Sequence, residues 1–164
     1  MEQPDIGMVS EIQTFETATN LLCLMTSGLA PSTMVDHPYE LLMDFKDTRE
    51  IVTVENIERI LTSISLAKDL KRLETQYFHV MGDGQDIPNP VMLSRVTELR
   101  VGCKTVVDAL TVPVLKGLFV EPSFVGWTDF ADTDLEPDTL FSVLNLLQQS
   151  QCQSTLQEVE FRNV

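Results

Sequence analysis

One beat recurs along this 164-residue chain and limits what it can fold into: an apolar residue at the first, fourth and sixth places of a six-residue stretch. Its clearest copy is Leu115-Lys-Gly-Leu118-Phe-Val120. The beat returns in Val96-Thr-Glu-Leu99-Arg-Val101 and Leu156-Gln-Glu-Val159-Glu-Phe161, more faintly in Leu70-Lys-Arg-Leu73-Glu-Thr75, and last in Pro38-Tyr-Glu-Leu41-Leu-Met43. The fourth and sixth places alternate like a strand with one face buried. Helical or looped segments separate the copies, and strands alternating with such segments predict a parallel sheet.

The intervening segments carry their own signals. Ser10 and Gln13 have capping-box spacing, and Ile12, Phe15, Leu22 and Met25 fall near one helical face, so a helix is expected from about residue 10 to the stop at Gly28 and Pro31. Tyr39 to Phe45 is apolar enough for a strand, and polar Lys46 to Glu50 reads as a link. Thr53 is an expected N-cap with Glu55 in the first turn, and Ile57, Ile60, Leu61 and Ile64 predict a helix over 53–67. Strands are expected at 70–76, 96–101, 115–120 and 156–161. Val91 to Leu93 is expected to form a helical turn, and Thr105 to Leu110 a short helix ended by Pro113. Leu140, Phe141, Leu144 and Leu147 predict a strongly apolar helix after Pro137. Residues 1–9 read as a flexible tail. Residues 10–164 read as one repeat-like domain, in which 10–50 is a cap or a further repeat.

Composition narrows the function classes. Twenty-five acidic residues against 11 basic ones give a formal net charge of -14. Such a chain repels phosphate backbones and anionic lipid, which disfavours general nucleic-acid and membrane binding; it would favour a basic protein partner, and the bland reading of the charge is solubility. Three scattered cysteines, Cys23, Cys103 and Cys152, make neither a disulfide framework nor a zinc knuckle. With no signal-peptide pattern and no apolar run of membrane-spanning length, the expected location is cytoplasmic or nuclear.

The chain here resembles a leucine-rich-repeat protein, whose strands follow L-x-x-L-x-L. The run from Val107 through Pro113 to Leu118, and that from Leu144 through Cys152 to Val159, are similar to the degenerate repeats of fungal F-box proteins. The resemblance covers residues 53–164 and, more weakly, the first 50. It implies a short irregular solenoid of parallel strands with helices on the convex side. It also implies substrate recognition related to ubiquitin-ligase receptors. No F-box is recognisable, so attachment to a ligase adaptor is unsupported. Lys104, Ser123 and Val164 stand where the family's repeat carries Asn or Cys.

Alternation sends the third, fifth and seventh residues of each strand to the open face: Arg72, Glu74, Gln76; Glu98, Arg100, Gly102; Gly117, Phe119, Glu121; and Glu158, Glu160, Arg162. Phe119 beside Arg100 is the expected anchor of a protein-binding stripe on the concave side. The bland alternative is a solvated face whose opposite charges steady the sheet. A second expected contact is the acidic insertion with Trp127, Asp129, Asp132 and Asp134. It lacks the Gly and Glu of a calcium-binding EF-hand loop, so neither metal nor cofactor is expected there. Gly82-Asp-Gly84 lacks the Lys-Ser/Thr of a phosphate-binding loop. His37 and His79 have no spaced ligand partner. Protein binding is therefore the expected role. The competing classes are a compact parallel α/β enzyme, with its site beyond the carboxyl ends of the strands, and a truncated repeat protein without independent function.

Overall fold

The computed structural model describes residues 11–12, 18–82, 88–121 and 137–162. The expected tail at 1–9 and the acidic insertion with Trp127, Asp129, Asp132 and Asp134 lie outside them. Ten strands and three α-helices occur among the described residues. The main sheet has six parallel strands: β2 (Cys23–Ser27), β4 (Asp44–Thr53), β5 (Arg72–Met81), β7 (Glu98–Val101), β9 (Gly117–Val120) and β10 (Glu158–Phe161). They lie side by side in chain order with no reversal.

Two smaller parallel pairs complete the strands. β1 (Glu11–Ile12) pairs with β3 (Met34–Val35), and β6 (Val91–Met92) with β8 (Leu110–Thr111). The helices are α1 (Val54–Ser65), α2 (Lys104–Asp108) and α3 (Pro137–Ser150). These connecting elements touch one another in chain order too: the 3-10 turn Tyr39–Leu41 meets α1, α1 meets β6, β6 meets β8, and β8 meets α3. The fold is thus a mixed α/β one in which consecutive segments are neighbours.

Register explains the core. Leu24, Phe45, Leu73, Leu99, Leu118 and Val159 occupy one cross-strand row, and Thr26, Asp47, Thr75, Val101, Val120 and Phe161 the next inward row. The residue three places before each first-row member is also apolar: Leu21, Leu42, Leu70, Val96, Leu115 and Leu156. The first two places of the beat are therefore apolar in all six strands. Its third core place is polar in β2, β4 and β5 and apolar afterwards, which hides the first two copies from a hydropathy reading. The helix α1 closes this core with Ile57, Ile60, Leu61 and Ile64, all buried. Fully burying a side chain of this size contributes about 1.5–3 kcal/mol. Thr53 caps α1 as expected, its hydroxyl accepting from the Asn56 N–H at 3.1 Å.

Several local expectations are corrected. The helix expected to about residue 27 is replaced by β1 and β2; Leu22 and Met25, counted on its apolar face, are exposed, while Leu24 points inward. Pairing with β4, distant in sequence, overrides the local period. The stretch 39–45 is a 3-10 turn followed by the start of β4, so the copy read at Pro38, Leu41 and Met43 is displaced to Leu42, Phe45 and Asp47. Lys46 to Glu50 is no link but the middle of β4. Val91 to Leu93 enters a strand, not a helical turn, because Val91 and Leu93 donate to the Ala109 and Thr111 carbonyls at 2.7 and 2.9 Å. In α3 the buried apolar side chains are Val143 and Leu146; Leu140, Phe141 and Leu144 are exposed.

The polar residues of β4 form a buried cluster. Arg49 Nε lies 2.8 Å from Asp47 Oδ2 and 3.0 Å from Oδ1, with both side chains essentially inaccessible. Asp47 also accepts from the Thr26 hydroxyl at 2.5 Å and the Tyr77 hydroxyl at 2.9 Å. Arg49 Nη1 donates to the Thr33 and Ala30 carbonyls at 2.7 and 3.3 Å, and Asn56 Nδ2 to those of Pro31 and Thr33 at 3.1 and 3.2 Å. The cluster pins the turn between β2 and β3 to the sheet. Gly82, just past β5, sits against Val54: a Cβ there would come within 2.7 Å of Val54 Cγ2.

Two predictions follow from the buried cluster and the two buried phenols. Arg49→Met leaves the Asp47 carboxylate buried without its cation and is expected to cost about 3–5 kcal/mol, with Asp47→Leu added to it recovering most of the loss. Urea unfolding of the three proteins measures both effects; equal stability of Arg49→Met and wild type would refute the pinning role. Tyr39 donates to the Val35 carbonyl at 2.7 Å, and burial pushes its phenol up to about 12 from 10.0. Tyr77 is held well above the ordinary value, first by burial and then by Asp47. The neutral phenols stabilise the fold fully below pH 10, and that stabilisation is lost as pH climbs through the raised values. Phenolate absorbance in an alkaline titration should therefore appear together with unfolding, not before it.

Candidate interaction face

The outward side chains of the six strands fall into rows set by the same register. One row runs Cys23, Asp44, Arg72, Glu98, Gly117, Glu158; the next runs Met25, Lys46, Glu74, Arg100, Phe119, Glu160. Seven residues expected at the binding stripe, Arg72, Glu74, Glu98, Arg100, Phe119, Glu158 and Glu160, thus share one sheet face. Glu121 follows β9 on the same side and reaches Arg100. Asp44 and Lys46 belong to the face as well; the displaced register of the expected 39–45 strand hides Asp44, and the expected link over 46–50 hides Lys46. The displaced Leu42, Phe45, Asp47 beat was the signal that could have found them.

Charges of opposite sign alternate along these rows. Arg72 Nε is 2.5 Å from Asp44 Oδ1, and Nη2 is 2.8 Å from Oδ2, a bidentate fork. In the second row Lys46 Nζ is 2.6 Å from Glu74, and Glu74 is 3.8 Å from Arg100 Nε. Arg100 continues to Glu121 at 3.0 Å, and Glu121 to Arg162 at 3.6 Å. Gln76 donates to the same Glu121 carboxylate. The series closes with Arg162 Nε on Glu160 at 2.9 Å.

Phe119 sits inside this network. The Arg100 guanidinium lies 4.7 Å from the ring centroid and that of Arg162 lies 6.0 Å away. Cations over an aromatic face are attracted by its quadrupole. Gly117 leaves the room: a Cβ there would meet the ring at 3.1 Å. The ring is half-buried and held between two cations, a rigid apolar spot in a charged field.

The electrostatics of this face suit recognition more than proton transfer. The Arg72 hydrogen bond holds the Asp44 carboxyl below the usual range, and Arg162 does the same for Glu160. Both carboxylates are therefore ionised at neutral pH, not poised to donate a proton. Elsewhere, Cys103 and Cys152 are buried, and burial pushes the Cys152 thiol up, away from the thiolate that attacks substrates. His37 is buried beside Tyr39, and His79 lies on β5. Among the described residues, no group of three His, Cys, Asp or Glu side chains is placed to hold a metal, and no helix is long and apolar enough to cross a membrane.

No protein-family model, curated protein or solved structure matches this chain. The class it defines is that of a mixed α/β domain built on a six-stranded parallel sheet.

Arg72→Ala should return the Asp44 carboxyl to the ordinary aspartate range. The pair's contribution to stability is present above that range and lost as pH falls through the lowered native value. Both side chains are substantially open to water, so the stability change at neutral pH is expected to stay under about 1 kcal/mol. A carbon-detected NMR titration reads the first effect and urea unfolding the second.

Proposed function

We propose that the chain is a short, irregular leucine-rich-repeat-like solenoid that binds a protein partner on the outward face of its sheet. One observation carries the reading: six parallel strands lie in chain order in one shared register, so their outward residues form continuous rows. The connecting elements, themselves in chain order, support it. An α/β enzyme of the doubly wound kind needs a reversal of strand order to open a crevice; the main sheet has none. The resemblance to fungal F-box repeats supports a substrate-recruiting role for this face, and the proposal extends to partner recognition alone.

The mechanism is association without covalent chemistry. Phe119, backed by Arg100 and Arg162, is the anchor, because rigid aromatics near an interface centre dominate binding energy. Surrounding ion pairs set orientation and reject like-charged partners. Five inter-strand spacings of about 4.8 Å make the face about 24 Å across, a width suited to a partner's helix or extended segment.

Phe119→Ala is the test. It removes the anchor while leaving every ion pair of the face in place. Its expected cost to partner affinity is about 2 kcal/mol, a loss of about thirtyfold. Capture from lysate with wild type and variant identifies the partner, and calorimetry with that partner purified measures the loss. Equal affinity of the two proteins would move binding off this face.

A further inference from the structure

The bases of this acidic chain are not spread evenly. Six of the 11 lie in ion pairs with acids: Lys46, Arg49, Arg72, Arg100, Lys104 and Arg162. Four others, Lys68, Lys71, Arg95 and Lys116, are exposed and make no ion pair among the described residues. All four fall on the short segments that lead into β5, β7 and β9. Those segments, 66–71, 93–97 and 112–116, hold the four bases and a single acid, Asp69, in a chain with 25 acidic residues. The start of the sheet is therefore a positive rim on a negative protein.

Register draws the four together. The Thr97 N–H donates to the Lys71 carbonyl at 2.9 Å, and the Lys116 N–H to the Thr97 carbonyl at 2.8 Å, so Lys71 and Lys116 stand two strands apart in one row. Two inter-strand spacings put their backbones about 10 Å from each other. Lys68 and Arg95, earlier on the same lead-in segments, line one cavity of about 280 Å³ with the buried Leu70, Leu93 and Val96. Among the described residues that lining holds two bases and no acid. Nucleic acid fits this rim poorly. The outward row that begins one residue beyond it carries Asp44, Glu98 and Glu158, which repel a phosphate backbone. A single small anion would fill the cavity and leave Lys71 and Lys116 unmatched. An extended chain with acids at every second place presents carboxylates about 7 Å apart on one side, and so meets the cavity and the row together.

We propose that this rim binds an extended, acidic segment of a partner protein. One carboxylate enters the cavity lined by Lys68 and Arg95, where the guanidinium can take it as a bidentate fork. Its neighbours along the segment reach Lys71 and Lys116. The local positive potential steers the segment to the rim, while the negative charge of the rest of the chain turns it away from other surfaces. The rim does not rest on the Phe119 reading. Phe119→Ala leaves all four bases in place, so either site can fail without the other.

The probe is a fluorescent peptide with the core Glu-Ser-Glu-Ser-Glu-Ser-Glu, followed by anisotropy. Wild type should bind it, more weakly as salt rises, and should ignore the counterpart in which every glutamate is glutamine. Amide shifts confined to 66–71, 93–97 and 112–116 would locate it. Two double variants, Lys68→Gln with Arg95→Gln and Lys71→Gln with Lys116→Gln, should each bind about tenfold more weakly. The four side chains are exposed, so an unchanged urea midpoint is expected and shows that the variants are folded. The proposal is overturned if the glutamate peptide does not bind, if the glutamine peptide binds equally, or if both folded variants bind like wild type. A single-stranded oligonucleotide held as tightly as the peptide would overturn it by making nucleic acid the occupant. So would sedimentation showing a dimer that Lys71→Glu dissolves, by making a second copy the occupant.

Discussion

The shared register of six parallel strands is the constraint on which the rest of this structure depends. Side chains alternate along a strand, so a slip of one residue in any pairing would send the inward row Leu73, Leu99 and Leu118 to solvent and carry the charged rows into the core. The apolar residue three places before each first-row member strengthens the lock, because it packs against the same core from the connecting segment. Burial of one row therefore fixes the other face as well. The order Asp44, Arg72, Glu98 on the outside is a consequence of where Phe45, Leu73 and Leu99 sit on the inside.

The N-terminal half meets that constraint with polar atoms. Asp47 and Arg49 replace apolar residues at inward places of β4, and taking two charges out of water costs several kcal/mol per ion unless every donor and acceptor is engaged. Thr26, Tyr77 and the carbonyls of Ala30 and Thr33 engage them. This cluster, with Asn56 from α1, converts the turn between β2 and β3 into a fixed part of the layer. Its contribution is geometric specificity at least as much as stability.

The outward face and the β10 edge are two results of one repeating scheme. On the outward face Lys46, Arg72 and Arg100 are each matched to an acid on a neighbouring strand, and Arg100 and Arg162 both lie over Phe119. At the β10 edge the inward Val159 and Phe161 are half-exposed. The face offers an ordered surface with one apolar anchor.

Local sequence by itself determined the strands at β5, β7, β9 and β10, the helix α1 with its Thr53 cap, and most of the candidate face. In those segments apolar period, capping residue and turn chemistry agree, and the outward residues follow from alternation alone. Tertiary structure decided the rest. Residues 23–27 became a strand through pairing with β4, although Leu22 and Met25 recur at helical spacing. Residues 46–50 became the middle of a strand because Asp47 and Arg49 neutralise each other once buried, a pairing no hydropathy pattern displays. Which side of α3 meets the core could not be read either, since apolar residues lie all around it and only contact with β8 and α2 chooses Val143 and Leu146. Periodicity reports burial when one face of an element is apolar. Where both faces are apolar, or where charges are buried as a pair, only the neighbouring element selects the answer.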